Sequence, residues 1–197
     1  MVKHFSLVVI LSLVLVFFSG FWSGKSEKEI KEDNTKERVE RIKTSNDTLE
    51  LLYKYAPEAR SMVLRSYGYA IFSNLGVNLT LLSAEGGKGM AHNNKTGVNT
   101  YMNMGSGGLG FGLGIKDFRA VFLFENKRVY DNFVNHGWEA NAQVDVTAKY
   151  KDNGVSINAA ETVAFGIRLY KLTQNGLALQ ATVQGTKYWK DKELNKY

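Results

Sequence analysis

The chain contains no cysteine and only one proline among its 197 residues. Without cysteine it has no disulfide, no thiolate metal site, no cysteine nucleophile and no lipidated cysteine. A single proline excludes a proline-rich chain. Nineteen glycines together with 12% aromatic residues favour a sheet with tight turns. The three histidines, the first at position 4, show no zinc-ligand spacing. We therefore expect neither a metal nor a cofactor.

The excess of positive charge is modest: the chain has 25 basic and 19 acidic residues, which give a net charge of +6. This balance suits anionic surfaces. Basic and acidic residues are interleaved, so we do not expect nucleic acid as a partner. The GxGxxG spacing over 105–110 would indicate a dinucleotide-binding site only if a helix followed it. Strand-like alternation follows instead, so we do not expect such a site. We predict that the protein is not an enzyme; an enzyme would need a pocket around His92, His136 or Glu139.

Residues 1–24 have the pattern of an export signal. Lys3 precedes an uncharged apolar stretch over 5–18, and small residues follow at positions 19, 20, 23 and 24. The apolar stretch as far as Trp22 approaches the length of a membrane span, so an uncleaved N-terminal membrane anchor is the alternative. In either case we expect an exported protein of the periplasm or cell envelope that is associated with a membrane.

Residues 25–46 form a segment dense in charge with few apolar positions. One interpretation is a solvated linker or a loosely held helix. The alternative is a helix lying on a membrane, with Val39 and Ile42 in the interface. In that case four basic side chains would reach headgroup phosphates, namely Lys36, Arg38, Arg41 and Lys43.

Residues 47–197 are predicted to form one α+β domain. Asp47 and Glu50 have the spacing of a capping pair that opens a short helix. Pro57 suits the first turn of a second helix, which Gly68 would end. We expect this short N-terminal helical pair to pack on a sheet.

Alternating apolar and polar residues predict strands in the rest of the domain. The predicted strands cover 140–150, 163–169 and 177–183 and are joined by Asn-Gly turns. A short helix fits between Phe124 and Gly137, and the glycines of 86–89 suit a turn between strands. The expected architecture is a curved antiparallel β-sheet or partial barrel.

An ordered set of short motifs carries a family resemblance. They are Tyr69-Ala70-Ile71-Phe72, Gly86-Gly87-Lys88-Gly89, Tyr101, the glycine run 107–114, Val121-Phe122-Leu123-Phe124, Gly137-Trp138-Glu139, and 176–187. The set resembles the SYLF domain, also called the Ysc84 actin-binding domain family, from about residue 48 to residue 187. The resemblance implies a lipid-binding domain that acts through a basic N-terminal portion and the domain surface. The chain departs from that pattern at Ser73, where proline is usual, and in the mixed charge of 25–46.

Together these observations predict a non-enzymatic envelope protein that binds anionic membrane lipid peripherally, through phospholipid or phosphoinositide-like headgroups. Besides the four basic residues of 25–46, the candidate lipid-binding residues are Arg60, Arg65 and Lys88. The alternative is a structural or protein-interaction module that contacts other envelope proteins through its sheet surface. Headgroup binding should weaken with ionic strength, whereas an apolar protein interface should not.

Overall fold

The structure, a computed structural model, describes residues 25–74, 85–106, 117–140, 160–181 and 183–196. These residues form three helices and nine strands. The helices are α1 Glu27–Tyr55, α2 Ala59–Arg65 and α3 Lys127–His136. The strands are β1 Gly68–Ser73, β2 Glu85–Asn93, β3 Asn99–Ser106, β4 Arg119–Phe124, β5 Trp138–Glu139, β6 Glu161–Ala164, β7 Ile167–Thr173, β8 Gly176–Leu177 and β9 Thr186–Lys190.

Helix α1 is continuous over 29 residues, so the short helix predicted to begin at Asp47 is wrong. It begins with a capping box, in which the Glu29 backbone N–H donates to Ser26 Oγ and the Ser26 N–H donates to the Glu29 carboxylate. Asp47 lies inside the helix, 2.9 Å from Lys43 Nζ one turn earlier. Helix α1 contains no glycine or proline, and it ends at Tyr55, two residues before Pro57. The charged segment 25–46 is therefore helical from Glu27 onward.

The chain divides into two compact units, Met1–Lys36 and Glu37–Tyr197. The boundary lies within α1, ten residues before the predicted domain start at residue 47. All nine strands belong to the second unit, and so do α2 and α3. Among the described residues, no helix combines the length and the apolar character needed to cross a membrane.

The strands form one antiparallel sheet in the order β5-β9-β3-β2-β1-β4-β7-β6, with β8 paired to β7. The sheet curls into a half-barrel, which confirms the expected α+β class with helix packed on a curved sheet. Because side chains alternate along a strand, each strand contributes to two faces. We call them the α3 face and the α1 face, after the helix that covers each.

The α3 face carries an aromatic core. The ring centroids of Phe72 and Tyr188 lie 4.7 Å apart, and Phe133 of α3 lies 5.4 Å from Phe122. Edge-to-face and tilted contacts of this kind add to the free energy gained by burying the rings. The predicted helix between Phe124 and Gly137 is confirmed, and its Asn126 cap accepts a hydrogen bond from the Val129 N–H at 3.1 Å.

The α1 face has an apolar core of its own. Leu52 of α1 and Val63 of α2 pack with the strand residues Ile71, Val121 and Tyr170. The second predicted helix is confirmed as α2, although it ends at Arg65, and the predicted stop Gly68 begins β1. Burial of these side chains stabilises the attachment of both helices to the sheet.

Two strand predictions are wrong in detail. The predicted strand 163–169 is interrupted at Phe165 and Gly166, where a tight turn with Gly166 at φ +75° separates β6 from β7. Of the residues that the structure describes within the predicted strand 177–183, only Leu177 is in a strand. Alternation alone does not show where a short hairpin turns back. The predicted strand 140–150, apart from residue 140, and the glycine run 107–114 lie outside the described residues.

The predicted turn over Gly86–Gly89 is also wrong, because these glycines lie within β2. A Cβ at Gly89 would overlap the Phe72 ring and the carbonyl of Ile71 on the neighbouring strand. Because Gly89 has no side chain, the Phe72 ring can lie directly against the backbone of β2. Glycine here permits close packing inside the sheet rather than a turn.

Candidate functional site

Arg41, one of the expected headgroup ligands, lies between α1 and the sheet with its side chain only 6% exposed. Its guanidinium donates five hydrogen bonds: to Glu37 Oε1 at 2.9 Å, Met102 O at 2.6 Å, Gly89 O at 3.3 Å, Asn103 Oδ1 at 3.1 Å and Asp191 Oδ2 at 3.0 Å. A guanidinium has five N–H groups, so every one of them has an acceptor within the protein. We call Arg41 and these five partners the Arg41 network.

Both carboxylates of the Arg41 network are held in the ionised form. Burial would raise the pKa of Glu37, but hydrogen bonds from Lys88 and Arg41 outweigh it and lower that pKa. Burial would likewise raise the pKa of Asp191, and the Leu194 backbone N–H together with the charge of Arg41 outweighs it, so this pKa is also lowered. The network is a stabilising polar contact between α1, the sheet and the C-terminal segment.

The remaining basic residues expected around α1 are placed differently from one another. Arg38 is half-buried and donates from Nε to the Leu194 carbonyl at 2.9 Å. Lys88 Nζ lies 2.9 Å from Glu37 Oε2, beside the Arg41 network. Lys43 is exposed and paired with Asp47, and Lys36 is exposed and belongs to the first compact unit. Within the second compact unit, Arg38, Lys43 and Lys88 are therefore each engaged by a different partner.

Arg60 and Arg65 are exposed on α2, on the side away from the sheet. The Arg60 guanidinium lies over the Tyr53 ring, 4.4 Å from its centroid. Arg65 donates to Ser61 Oγ at 3.3 Å. Neither arginine is paired with a carboxylate among the described residues.

The three residues around which an enzyme would need a pocket lie on different elements of the fold. His92 Nδ1 lies 2.7 Å from Asn99 Oδ1, and its ring lies against Tyr69. His136 is exposed in the last turn of α3. Glu139 pairs with Lys187 at 3.2 Å on neighbouring strands. Within the described ranges, no group of three or more histidine, aspartate or glutamate residues is arranged to hold a metal ion.

Four segments meet at one end of the half-barrel, and we call them together the loop end. They are residues 63–68, 93–99, 124–131 and 164–168. Strand register aligns them, because Gly68 lies opposite both Asn93 and Phe124, and Phe124 lies opposite Ile167.

Hydrogen bonds join the four segments of the loop end in a chain. Asn94 Nδ2 donates to Val63 O at 2.7 Å and to Ser66 O at 3.1 Å. The Tyr67 N–H donates to Phe124 O at 2.8 Å. The Glu125 N–H in turn donates to Gly166 O at 3.0 Å. These hydrogen bonds fix the positions of the four segments, which we also call the tips of the loop end, and so hold their side chains in a fixed relation to one another.

The loop end carries both apolar and basic exposed side chains. Leu64 is 70% exposed, Val98 58% and Phe165 71%. Five cations lie in the same segments: Arg65, Lys95, Lys127, Arg128 and Arg168. Only two carboxylates accompany them, Glu125 and Asp131, and Asp131 pairs with Lys127. The loop end therefore has a net positive charge around three exposed apolar groups.

Sequence reasoning identified Arg65 and missed the rest of the loop end. The four segments are separated by as many as a hundred residues, and each contributes one or two cations to the group. A hairpin signal was present at Gly166, since a glycine inside an alternating run marks a turn or bulge. No sequence signal places that turn beside Val129 of α3.

No family model matches the chain. The chain is similar to a protein of Aeromonas veronii that is called beta cell expansion factor A. The two are 37% identical over 178 residues, which make up 88% of this chain and 66% of the relative. The similarity thus covers most of this chain and about 66% of the relative's own length.

Proposed function

We propose that the protein is a non-enzymatic, exported protein of the cell envelope that binds anionic membrane lipid peripherally, and that the loop end is the contact surface. The observation that carries the proposal is the excess of five cations over two carboxylates on four tips joined by hydrogen bonds. A basic residue near an anionic surface contributes about 1 kcal/mol, so several acting together are needed for stable binding. The resemblance to the SYLF domain and the export pattern of residues 1–24 also support the proposal.

This surface differs from the one that the sequence predicted. Arg41 is enclosed in its network, and Lys88 contacts Glu37, so we leave both out of the proposed contact. Arg65 remains as an exposed residue of the loop end, and Arg60 remains because it is exposed earlier on the same helix, α2. The lipid contact then depends on the second compact unit alone.

A charge-reversal pair of variants tests the proposal. The test variant combines Arg65→Glu, Lys95→Glu, Arg128→Glu and Arg168→Glu. The control variant makes the same change in net charge at four exposed lysines elsewhere, with Lys43→Glu, Lys54→Glu, Lys190→Glu and Lys192→Glu. The purified full chains are floated at limiting lipid with phosphatidylglycerol or phosphatidylcholine vesicles, at low and at high salt.

We expect the wild type and the control variant to float with the anionic vesicles at low salt, and the test variant to stay in solution. The N-terminal apolar run is common to all three chains, so only differences between them are interpreted. Equal flotation of the test and control variants would contradict the placement at the loop end. Flotation that ignores both salt and lipid charge would contradict headgroup binding. An absence of flotation under every condition would contradict lipid binding altogether and would favour the protein-interaction alternative.

A further inference from the structure

The three exposed apolar residues of the loop end lie on segments that are joined to one another. Leu64 lies in α2, Val98 in the β2–β3 hairpin and Phe165 in the β6–β7 hairpin. Leu64 and Phe165 are the two most exposed large apolar side chains among the described residues. Single exposed apolar residues are ordinary, but several on adjoining tips mark an interaction surface.

The backbone behind these tips keeps them from folding inward. The segments that carry Leu64 and Val98 are joined by the Asn94 side chain, and the segment that carries Phe165 is joined to β4 through Gly166 O. A Cβ at Gly166 would lie 3.1 Å from the Val129 side chain, so the turn is packed against α3. The three apolar groups are therefore presented outward by a supported framework.

The surroundings of the tips indicate what they contact. Each tip has a cation within four residues: Arg65 beside Leu64, Lys95 near Val98, and Arg168 near Phe165. Lysine and arginine can lay their aliphatic stems on apolar surface while the charged group stays at the headgroup level. Apolar side chains ringed by cations match the interface of an anionic bilayer, where phosphates lie above acyl chains.

We propose that Leu64, Val98 and Phe165 insert into the acyl interface of an anionic bilayer, so that the protein docks end-on through the loop end. The inference rests on the proposed function and adds the hydrocarbon interface as a second contact beneath the headgroups. In this orientation the exposed face of α1 that carries Val39 does not touch the membrane. Insertion also leaves part of the binding resistant to salt, because apolar contact is not screened.

Site-specific fluorophores test the insertion directly. The chain has no cysteine of its own, so a single introduced thiol can be labelled uniquely. The test positions are Leu64→Cys, Val98→Cys and Phe165→Cys, each carrying an environment-sensitive dye. The control positions are Val39→Cys and Leu179→Cys, which replace residues of comparable exposure, 62% and 60%, outside the loop end. The labelled full chains are mixed with phosphatidylglycerol vesicles whose acyl chains carry bromine as a quencher.

The three test dyes should shift to shorter wavelength and be quenched by the brominated chains, while the two control dyes keep their emission in water. If the protein floats with these vesicles but the test dyes behave like the controls, the insertion is wrong and the headgroup contact stands. If the control dyes are quenched as strongly as the test dyes, the end-on orientation is wrong. If the protein does not bind anionic vesicles, both proposals fail.

A variant series without labels gives a second measurement. Leu64→Ser, Val98→Ser and Phe165→Ser each remove an exposed group, so none creates a cavity in the core. We expect each to lower the affinity for phosphatidylglycerol vesicles at high salt by about five- to tenfold. The matched changes Val39→Ser and Leu179→Ser should leave it unchanged. Equal affinity for all five variants would overturn the inference.

Discussion

Replacement of Arg41 by methionine is expected to cause a large loss of stability, although Arg41 lies in a segment whose sequence is mostly charged. Methionine keeps an unbranched chain of similar length but donates no hydrogen bond. It leaves the Asp191 carboxylate, half-enclosed beside the sheet, without its arginine. It also leaves two strand carbonyls, of Met102 and Gly89, without the donors they have in the wild type.

The expected magnitude follows from removing one partner of a buried ion pair. Such a change costs about 3–5 kcal/mol when the remaining charge is left buried without a partner. Here we expect the lower end, about 3 kcal/mol, because Asp191 keeps hydrogen bonds from the Asn103 amide and from the backbone N–H groups of Glu193 and Leu194. This loss is a large part of the total stability of an ordinary domain, about 5–15 kcal/mol. Arg41→Lys should recover only part of it, since an ammonium has three N–H donors for five acceptors and cannot reproduce the planar geometry.

Urea unfolding of the full chain, followed by tryptophan fluorescence, measures the effect. The matched control is Lys43→Met, because Lys43 is exposed on the same helix and its pair with Asp47 is open to solvent, so little change is expected. A double-mutant cycle with Asp191→Asn should show a coupling above 1 kcal/mol between the two positions. An Arg41→Met variant as stable as the Lys43→Met variant would refute the reasoning.

Two further predictions concern the same unit. Gly89→Ala should destabilise the fold by about 1–3 kcal/mol, because the added methyl group would overlap the Phe72 ring and a strand carbonyl. Gly86→Ala on the same strand is its control, since the new methyl group would meet only Met104 O at 3.7 Å; equal urea midpoints for the two variants would show that the packing argument is wrong. Stability should also fall in acid, since the pKa values of Glu37 and Asp191 are lowered in the folded chain. Their contribution is present above the pKa of an unfolded carboxyl group, about 4, and is lost as the pH falls through the folded values. The urea midpoint should drop between pH 5 and pH 3, and it should drop less in Asp191→Asn; an identical drop in both chains would contradict this.

Local patterns predicted the elements whose folding is decided within a short segment. Helix α3 was predicted between Phe124 and Gly137 from apolar residues at helical spacing, Val129 and Phe133, and the structure adds the Asn126 cap. The α+β class follows from helix-forming segments before a long strand-rich region. Where local signals were incomplete the predictions were wrong: Asp47 and Glu50 suggest a helix start, yet α1 passes through both. No glycine or proline occurs within α1 before Pro57, so nothing in the sequence interrupts the helix at Asp47.

The candidate site was decided by tertiary structure. Arg41 sits in a run of alternating charges and has the sequence environment of a solvated residue. Its acceptors come from residues up to 150 positions away, which no local pattern contains. The loop end is assembled in the same manner, because strand register and a few backbone hydrogen bonds bring together Leu64, Val98 and Phe165.

The sequence by itself therefore determined the α+β class, the helices α2 and α3, the modest positive charge, the lack of thiol chemistry and the pattern of the first 24 residues. Only the tertiary structure decided which cations are buried and which are presented to solvent. The physical reason is that the environment of a charged side chain depends on what the folded chain places against it. For Arg41 that is two strands and the C-terminal segment, and for Arg65 it is solvent beside an exposed leucine.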